Sequence, residues 1–182
     1  MVCQSFSDCF LVDTYRISSE MTAWKALKLS FKESRVLAVV LFRITQYLWC
    51  KKAIWRFAPI IKRANEILTG FECHLEATID VGLFLAHTQN IVVGEGPKIG
   101  KHVTIYNGVT IGSAGRDYSS KKDKYPQLLD GAIIYSGAKV LGDIRIGKES
   151  VVGANAVVLQ NVPDGCVAVG VPARIIRREG YV

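Results

Sequence analysis

The chain has 182 residues, of which 49% are hydrophobic and 21% are charged, a composition that fits an ordinary globular protein. Its longest wholly apolar run, VLAVVLF at 36–42, is too short to cross a bilayer, and its first residues, MVCQSFSDCF, lack the basic and apolar segments of a secretory signal. The five cysteines show no metal-binding spacing and fit reduced thiols. We therefore expect a cytoplasmic protein.

The net charge of +7 is concentrated in the first part of the chain. Residues 1–70 carry eleven Lys and Arg against five Asp and Glu, whereas residues 71–182 carry twelve against eleven. For the basic residues we favour a solvated helical face, and for the aromatic residues beside them packing between protomers. The alternative is a peripheral contact with an anionic membrane surface, rather than a nucleic acid. The residues concerned are Lys51, Lys52, Arg56, Lys62, Arg63, Trp49, Trp55 and Phe57.

The first predicted elements are helices over residues 20–69. This segment is rich in Leu, Ala, Lys and Arg, and apolar residues recur four apart between 36 and 48. We predict two or three helices, with a break near 50–53 and a kink near Pro59. Residues 1–70 are therefore interpreted as an α-helical N-terminal segment.

Beyond residue 78 the pattern changes to a repeat of six residues, which matches neither a helix nor an alternating strand. Many units place a small residue directly after the aliphatic one, as in Val93-Gly94 and Ile111-Gly112. The aliphatic positions are Ile79, Leu85 and Ile91, then, after a shift of two residues, Val93, Ile99, Ile105 and Ile111, and later Leu128, Ile134, Val140, Ile146, Val152 and Val158.

A six-residue repeat predicts a triangular prism in which each unit supplies one short strand and one corner. Three units form a coil of about 18 residues, the aliphatic side chain points inward, and small residues fit the corners. A β-sandwich would show alternation and hairpin turns, of which the sequence has only isolated cases such as Asn107-Gly108. We therefore predict a left-handed parallel β-helix over residues 71–182.

The repeat is interrupted by the polar and basic stretch SAGRDYSSKKDKYPQ at 113–127. A solenoid pushes such insertions outward from one corner, so we predict a protruding loop, here called the flap. The flat faces of a prism leave aliphatic edges that a threefold axis can cover, which favours a homotrimer.

Two long stretches resemble the serine acetyltransferase branch of the hexapeptide-repeat acyltransferases. They are HLEATIDVGLFLAHTQNIVVGEGPKIGKHVTIYNGVTIGSAG and GAIIYSGAKVLGDIRIGKESVVGANAVVLQNVPDGCVAVGVPARII, and the GAKVLGDIRIG coil and the VGVPARII ending are the most specific parts. The resemblance covers about residues 71–176. It implies transfer of an acetyl group from acetyl-CoA, as co-substrate, to a hydroxyl, without a metal.

The resemblance aligns the family's catalytic histidine with His87 and its partner carboxylate with Glu72. An alcohol is a poor nucleophile at neutral pH, and an imidazole is suited to removing its proton as it attacks a thioester. A carboxylate on the other ring nitrogen would orient the imidazole and stabilise the imidazolium. The alternative is a structural histidine, which is how we interpret His74 and His102.

The resemblance also implies contacts with CoA at small residues of the prism. Ser136 and Ala154 are 18 residues apart, one full coil, and would stack on one rim. Small residues would let the pantetheine arm lie against the backbone, although they also fit a tight corner. Lys139 and Arg174 are candidates for the nucleotide phosphates, or ordinary surface cations. The full set is Gly112, Ser113, Ser136, Ala154, Lys139 and Arg174.

The acceptor side departs from the serine acetyltransferase pattern. The family's Asp-His is Ala86-His87 here, so the carboxylate that faces the amino group of serine is missing, and the family's Arg-His near the flap end is Lys124-Tyr125. These departures favour a saccharide of a bacterial capsule, exopolysaccharide or lipopolysaccharide, bound by Lys124, Tyr125 and Tyr106. The alternatives are a divergent serine O-acetyltransferase of cysteine biosynthesis and a catalytically inactive trimeric scaffold.

Overall fold

The computed structural model describes residues 12–13, 16, 23–115 and 125–177. The helices described in these ranges are α1 (Ala23–Ser30), α2 (Ser34–Cys50), a short 3-10 helix (Trp55–Phe57) and α3 (Ala58–Thr69). Within the described part of the chain, no helix is both long enough and apolar enough to cross a membrane.

Helices α2 and α3 form a hairpin whose open end meets the strands. Helix α2 ends at Cys50, so the break predicted after that residue is confirmed. The predicted kink at Pro59 is wrong, because Pro59 lies in the first turn of α3, where its missing N–H costs no helical hydrogen bond. The Nδ2 atom of Asn65 donates to the carbonyl of Ala38 at 3.0 Å and joins the two helices. Gly70, in the left-handed region with φ 73°, ends α3.

Short strands follow the helices and build the rest of the molecule. Those described are β1 (Phe71–Cys73), β2 (Thr78–Ile79), β3 (Phe84–Leu85), β4 (Ile91–Val93), β5 (Lys98–Ile99), β6 (Thr104–Ile105), β7 (Thr110–Gly112), β8 (Gln127–Leu128), β9 (Ile133–Ile134), β10 (Lys139–Leu141), β11 (Arg145–Ile146), β12 (Val151–Val152), β13 (Val157–Val158), β14 (Val167–Val169) and β15 (Arg174–Ile176).

The strands form three faces of a prism. The first face has the order β1-β4-β7-β10-β13, the second β2-β5-β8-β11, and the third β3-β6-β9-β12-β14. All pairs within these orders are parallel, and β15 adds antiparallel to β14 at the end of the third face. Because the chain visits the three faces in rotation, the predicted parallel β-helix is confirmed.

The interior of the prism is filled by the aliphatic residues of the repeat. Val93, Ile111 and Val140 pair in register on the first face, and each is no more than 1% exposed. Every aliphatic position of the six-residue pattern is likewise buried. Removing this apolar surface from water is the main contribution that stabilises the fold, at about 25 cal/mol per Å².

Two corners of the prism carry the residues of functional interest. The histidine corner joins the third face to the first and consists of the turns 86–90, 106–109, 135–138 and 153–156. The flap corner joins the first face to the second and includes the turns 74–77, 94–97, 113–126 and 142–144.

The first turn of the histidine corner is longer than the turns stacked on it. Cys73 pairs with Val93, a coil of 20 residues, whereas Val93 pairs with Ile111, a coil of 18. The two extra residues lie between Leu85 and Val93, where the regular spacing of the repeat is also shifted. His87 is therefore carried by an enlarged turn.

The flap leaves the prism at the flap corner. Leu128 follows Ile111 by 17 residues instead of six, so the turn between them is eleven residues longer than a regular one. The ring of Tyr125 covers the turn above it, since a Cβ atom added to Gly96 would lie 2.3 Å from its Cδ2 atom. Residues 116–124, which include Lys124, lie outside the described residues.

Helix α2 is fixed to the prism by Arg43, whose side chain is 2% exposed. Its Nε atom donates to a carboxylate oxygen of Asp13 at 2.6 Å, and its Nη atoms donate to the carbonyls of Ile79 at 2.9 Å and Asp80 at 2.6 Å. The carboxylate of Asp13 also accepts the backbone N–H of Gly82 at 2.6 Å. This buried pair therefore ties the helical segment to the turn that leads into the third face.

Candidate active site

His87 lies on the outside of the histidine corner, with its side chain exposed. The next residue, Thr88, is buried, and its hydroxyl donates to the carbonyl of Thr69 at 2.7 Å. The centroid of the His87 ring is 6.4 Å from that of Tyr106, in an edge-on arrangement. The imidazole is thus accessible to a ligand and bordered by an aromatic ring.

A column of four residues runs down the histidine corner. Strand register places Ala86, Tyr106, Tyr135 and Gly153 in equivalent positions, each directly after a strand of the third face. The rings of Tyr106 and Tyr135 stack with centroids 4.9 Å apart and planes inclined by 28°. Ala86, which is half-buried, contributes only a methyl group to this column.

A second column, one residue further along each turn, contains His87, Asn107, Ser136 and Ala154. The hydroxyl of Ser136 donates to Oδ1 of Asn107 at 2.9 Å, and the backbone N–H of Asn155 donates to the carbonyl of Ser136 at 2.9 Å. Ser136 and Ala154 therefore lie one coil apart on the same rim, as their spacing in the sequence predicts. Ala154 is exposed and Ser136 is half-buried, so the rim presents small groups and backbone atoms to solvent.

Glu72 is exposed at the centre of β1, on the first face. Among the described residues it forms no hydrogen bond or ion pair with His87, so the dyad predicted from the sequence is not assembled in this single chain. The neighbouring Cys73 points into the prism, where burial raises the pKa of its thiol to about 12. A thiol that stays protonated is a poor nucleophile.

The two cations predicted for CoA lie in different surroundings. The Nζ atom of Lys139 donates to the carbonyl of Gly108 at 2.7 Å and to the hydroxyl of Thr110 at 3.0 Å, which leaves one N–H of the ammonium group. Lys139 therefore braces the first face as well as carrying charge. Arg174 is exposed on β15, at the end of the prism.

The remaining predicted residues lie at the flap corner, across the first face from His87. Gly112 ends β7, and its carbonyl accepts the backbone N–H of Gly142 at 2.9 Å. Ser113 is exposed at the base of the flap, and Tyr125 lies at the other end. Within one chain the structure therefore divides the predicted site between two corners, and Tyr125 is not beside Tyr106.

The other two histidines have local structural contacts. The Nδ1 atom of His74 accepts the backbone N–H of Glu76 at 3.3 Å, and His102 occupies a left-handed turn position with φ 57°. The structural role of both residues stays a prediction. In the described ranges, no group of three or more His, Cys, Asp or Glu side chains could hold a metal ion.

Three residues of the histidine corner were not singled out by the sequence analysis. Tyr135 follows Tyr106 by 29 residues, which is one coil of 18 plus the eleven residues inserted in the flap, so counting through the interruption identifies it. Asn107 can be found in the same way from Ser136. Thr88 has no sequence signal, because its partner Thr69 belongs to a helix outside the repeat.

Comparison with known proteins places the chain among serine acetyltransferases. It is 41% identical over 130 residues to the serine acetyltransferase of Bacillus pumilus, a match that covers 71% of this chain and 58% of the relative. A solved structure of a serine acetyltransferase in complex with CoA is 33% identical to this chain, with a TM-score of 0.78. The match covers 94% of this chain and 70% of the solved chain. The solved structure of the Neisseria gonorrhoeae serine acetyltransferase in complex with serine is 28% identical, with a TM-score of 0.80. The match covers 94% of this chain and 69% of the solved chain. No family model matches.

These matches extend over the helices as well as the β-helix, since they cover 94% of the chain in the solved structures. The chain spans less than two thirds of the length of the Bacillus pumilus relative and 70% of the protein solved with CoA. A sequence identity of 33% over 70% of a solved serine acetyltransferase indicates common family membership and not only a shared fold. The chain therefore belongs to the serine acetyltransferase family of hexapeptide-repeat proteins.

Proposed function

We propose that this chain is an acetyl-CoA-dependent O-acetyltransferase. The observation that carries the proposal is the accessible imidazole of His87 on the enlarged turn of a prism whose family includes a protein solved with CoA. In the reaction an ester bond forms between the acceptor oxygen and the acetyl carbon, the thioester bond breaks, and the proton of the alcohol ends on the sulfur of CoA.

His87 acts as the general base in this proposal. Its imidazole takes the proton of the alcohol as the oxygen attacks the thioester carbonyl, and the imidazolium then gives that proton to the departing sulfur. A positioned base of this kind contributes roughly a hundred- to ten-thousand-fold to the rate. Only an imidazole that the substrates can reach can do this, and the exposure of His87 meets that condition.

Glu72 is the proposed partner of His87. Its carboxylate would accept the N–H of the other ring nitrogen, fix the tautomer and stabilise the imidazolium. Glu72 is exposed on the first face, and the described part of the chain gives its carboxylate no competing ion pair. Substrates that exclude water from the corner would strengthen the attraction between the two side chains.

The proposed CoA groove follows the histidine corner. Ser136 and Ala154 offer small side chains and backbone atoms along which the pantetheine arm can lie. Arg174, exposed at the end of the prism, suits the nucleotide phosphates, and Lys139 has one N–H left for an anion.

We propose a homotrimer in which each site is shared by two copies. Gly112, Ser113 and Tyr125 lie at the flap corner, across the first face from His87, so one chain alone does not bring them together. In the proposed trimer, the threefold axis brings the histidine corner of one copy beside the flap corner of the next. Exposed apolar residues on α3 also favour association: Ile60, Ile67 and Leu68, with Phe57 directly before the helix.

The turn of the helical hairpin remains a candidate for membrane contact. Lys51, Lys52 and Arg56 are exposed there beside Trp55, at the end of the hairpin far from the prism. If this contact forms, the protein co-sediments with vesicles of anionic phospholipid, and replacing the three cations with Gln abolishes co-sedimentation. Binding that is equal on zwitterionic vesicles, or no binding, contradicts it.

L-serine is the acceptor that the comparisons favour, since the relatives are named serine acetyltransferases and one is solved in complex with serine. The saccharide acceptor expected from the sequence receives no support from these relatives. We therefore propose serine as the first candidate, with an acceptor site that differs from the family pattern at Ala86.

A saccharide stays the second candidate because of one feature of the histidine corner. The rings of Tyr106 and Tyr135 stack directly below Ala86, and the ring of Tyr106 lies edge-on to that of His87. Sugar rings pack well on aromatic faces, whereas the ammonium group of serine finds no carboxylate at position 86.

An acceptor panel tests the proposed function and separates the candidates. CoA release from acetyl-CoA is measured with L-serine and with sugars and oligosaccharides, for the wild-type protein and for Tyr135→Ala. With serine as the acceptor, the wild-type protein releases CoA with serine and Tyr135→Ala changes kcat/KM less than about twofold. With a saccharide as the acceptor, only the sugar supports release, and Tyr135→Ala lowers kcat/KM about tenfold or more.

Absence of release with every acceptor, together with no binding of CoA in calorimetry, contradicts the proposed function and favours a trimeric scaffold. Release of CoA without an acetylated product detected by mass spectrometry would indicate hydrolysis, and it too contradicts transfer to an alcohol.

A further inference from the structure

The enlarged turn that carries His87 needs an anchor, because it leaves the regular register of the prism. The turns below it are tied to their neighbours, as when the N–H of Gly108 donates to the carbonyl of Gln89 and that of Gly137 to the carbonyl of Asn107. The turn 86–90 is the first of the histidine corner, so no such turn lies above it. What lies there instead is the end of helix α3.

Thr88 makes the contact with that helix end. Its side chain is 3% exposed, and its hydroxyl donates to the carbonyl of Thr69, the last residue of α3, at 2.7 Å. Carbonyls in the last turn of a helix have no hydrogen-bond partner within the helix, so the carbonyl of Thr69 can accept the hydroxyl of Thr88. The bond joins the residue directly after His87 to a rigid element.

The helix end is itself held by side chains. The hydroxyl of Thr69 lies 2.8 Å from the backbone carbonyl of Asn65 and 2.9 Å from its Oδ1 atom, and it can donate to either. The Nδ2 atom of Asn65 in turn donates to the carbonyl of Ala38 in α2. Thr69 is fully buried and Asn65 is 4% exposed. The chain of hydrogen bonds therefore runs from the hairpin of α2 and α3 to the turn that carries His87.

Close packing at Gly70 makes the same junction tight. Gly70 has φ 73°, and a Cβ atom added to it would lie 2.5 Å from Oε1 of Gln89, two residues after His87. The same Cβ atom would lie 3.3 Å from the Cα atom of Gln89, so the backbone of the turn lies against the helix end.

We propose that Thr88 is a positioning residue for His87, and that helix α3 is part of the catalytic apparatus through it. The inference rests on the proposed function, because it assigns Thr88 the task of holding the general base in place. A displacement of about 1 Å in a catalytic group can lower a rate about a hundredfold, so the hydroxyl matters for rate although it touches no substrate.

The variant Thr88→Val tests this, since it keeps the shape of the side chain and removes the donor. We expect kcat to fall about 10- to 100-fold while KM for acetyl-CoA stays unchanged, and Thr88→Ser to restore the rate. The matched control is Thr45→Val, because Thr45 is also buried and its hydroxyl donates to a helix carbonyl, that of Leu41, at 2.8 Å.

A second readout does not depend on acetyl transfer. The chain has three histidines, so the ring signals of His87 can be followed separately by nuclear magnetic resonance. We expect Thr88→Val to shift and broaden the signals of His87 and to leave those of His74 and His102 unchanged. Thr45→Val should change none of the three.

The outcomes separate this inference from the proposed function. If the wild-type protein transfers no acetyl group but the His87 signals respond to Thr88→Val, the positioning contact stands and the proposed function fails. If kcat falls equally in Thr88→Val and Thr45→Val, if Thr88→Ser does not restore it, or if the His87 signals do not respond to Thr88→Val, the positioning role is overturned.

Discussion

Replacing His87 with alanine is expected to lower kcat for acetyl transfer by about a hundred- to ten-thousand-fold. The alcohol would then have to lose its proton to water while it attacks the thioester. Because the imidazole is exposed and fills no part of the core, the variant should fold and assemble as the wild-type protein does. Steady-state rates at saturating acetyl-CoA and acceptor, with light scattering to report the assembly, measure both effects.

His74→Ala is the control for this prediction. His74 is also exposed, it lies at the start of the flap corner, and its Nδ1 atom accepts the backbone N–H of Glu76. Its loss should change kcat less than about twofold. Equal rates for His87→Ala and the wild-type protein would exclude His87 as the base.

Replacing Arg43 with methionine is expected to destabilise the fold by about 3–5 kcal/mol. The substitution leaves the buried carboxylate of Asp13 without its cation and the carbonyls of Ile79 and Asp80 without a donor. In a chain of this size the loss corresponds to a fall in Tm of roughly 6–20 °C. Calorimetry at equal protein concentration measures it, since the stability of an oligomer depends on concentration.

Arg35→Met is the matched control, because Arg35 pairs with Glu33 at 2.8 Å where both side chains are more than one third exposed. Such surface pairs contribute at most about 1 kcal/mol. A Tm that falls no further in Arg43→Met than in Arg35→Met would contradict the structural role of the buried pair.

The effect of Arg43→Met should also depend on pH. Burial raises the pKa of Asp13 even with Arg43 beside it, and removing the cation raises that pKa further. A carboxyl whose pKa is higher in the folded state stabilises the fold while it is protonated, and this contribution is lost as the pH rises through the folded pKa. The loss in Tm should therefore be smaller at about pH 5 than at about pH 7.5.

Much of the fold could be predicted from spacing alone. Aliphatic residues recur every six positions because each unit of the prism has one position that points inward. Val93, Ile111 and Val140 occupy such positions. The two-residue shift before Val93 was visible as well, and it marks the turn of His87. The helical segment was harder to predict, because a proline bends a helix only in its interior, and the sequence did not show that the helix of Pro59 begins at Ala58.

The candidate site could be predicted only in part. The position of His87 followed from a motif and that of Ser136 from the length of a coil, because both depend on local sequence. The contact of Thr88 with Thr69 depends on how a helix packs against the prism, and the bonds of Lys139 to Gly108 and Thr110 depend on neighbouring coils. Spacing within the repeat carries no information on such contacts.

The most direct test of the central claim is a crystal structure of the assembled protein with CoA bound. We predict that the sulfur of CoA lies beside His87, in a cleft between the histidine corner of one copy and the flap corner of the next, with room for one hydroxyl between sulfur and imidazole. CoA bound away from His87, or a His87 ring covered by the neighbouring copy so that no acceptor can reach it, would contradict the account.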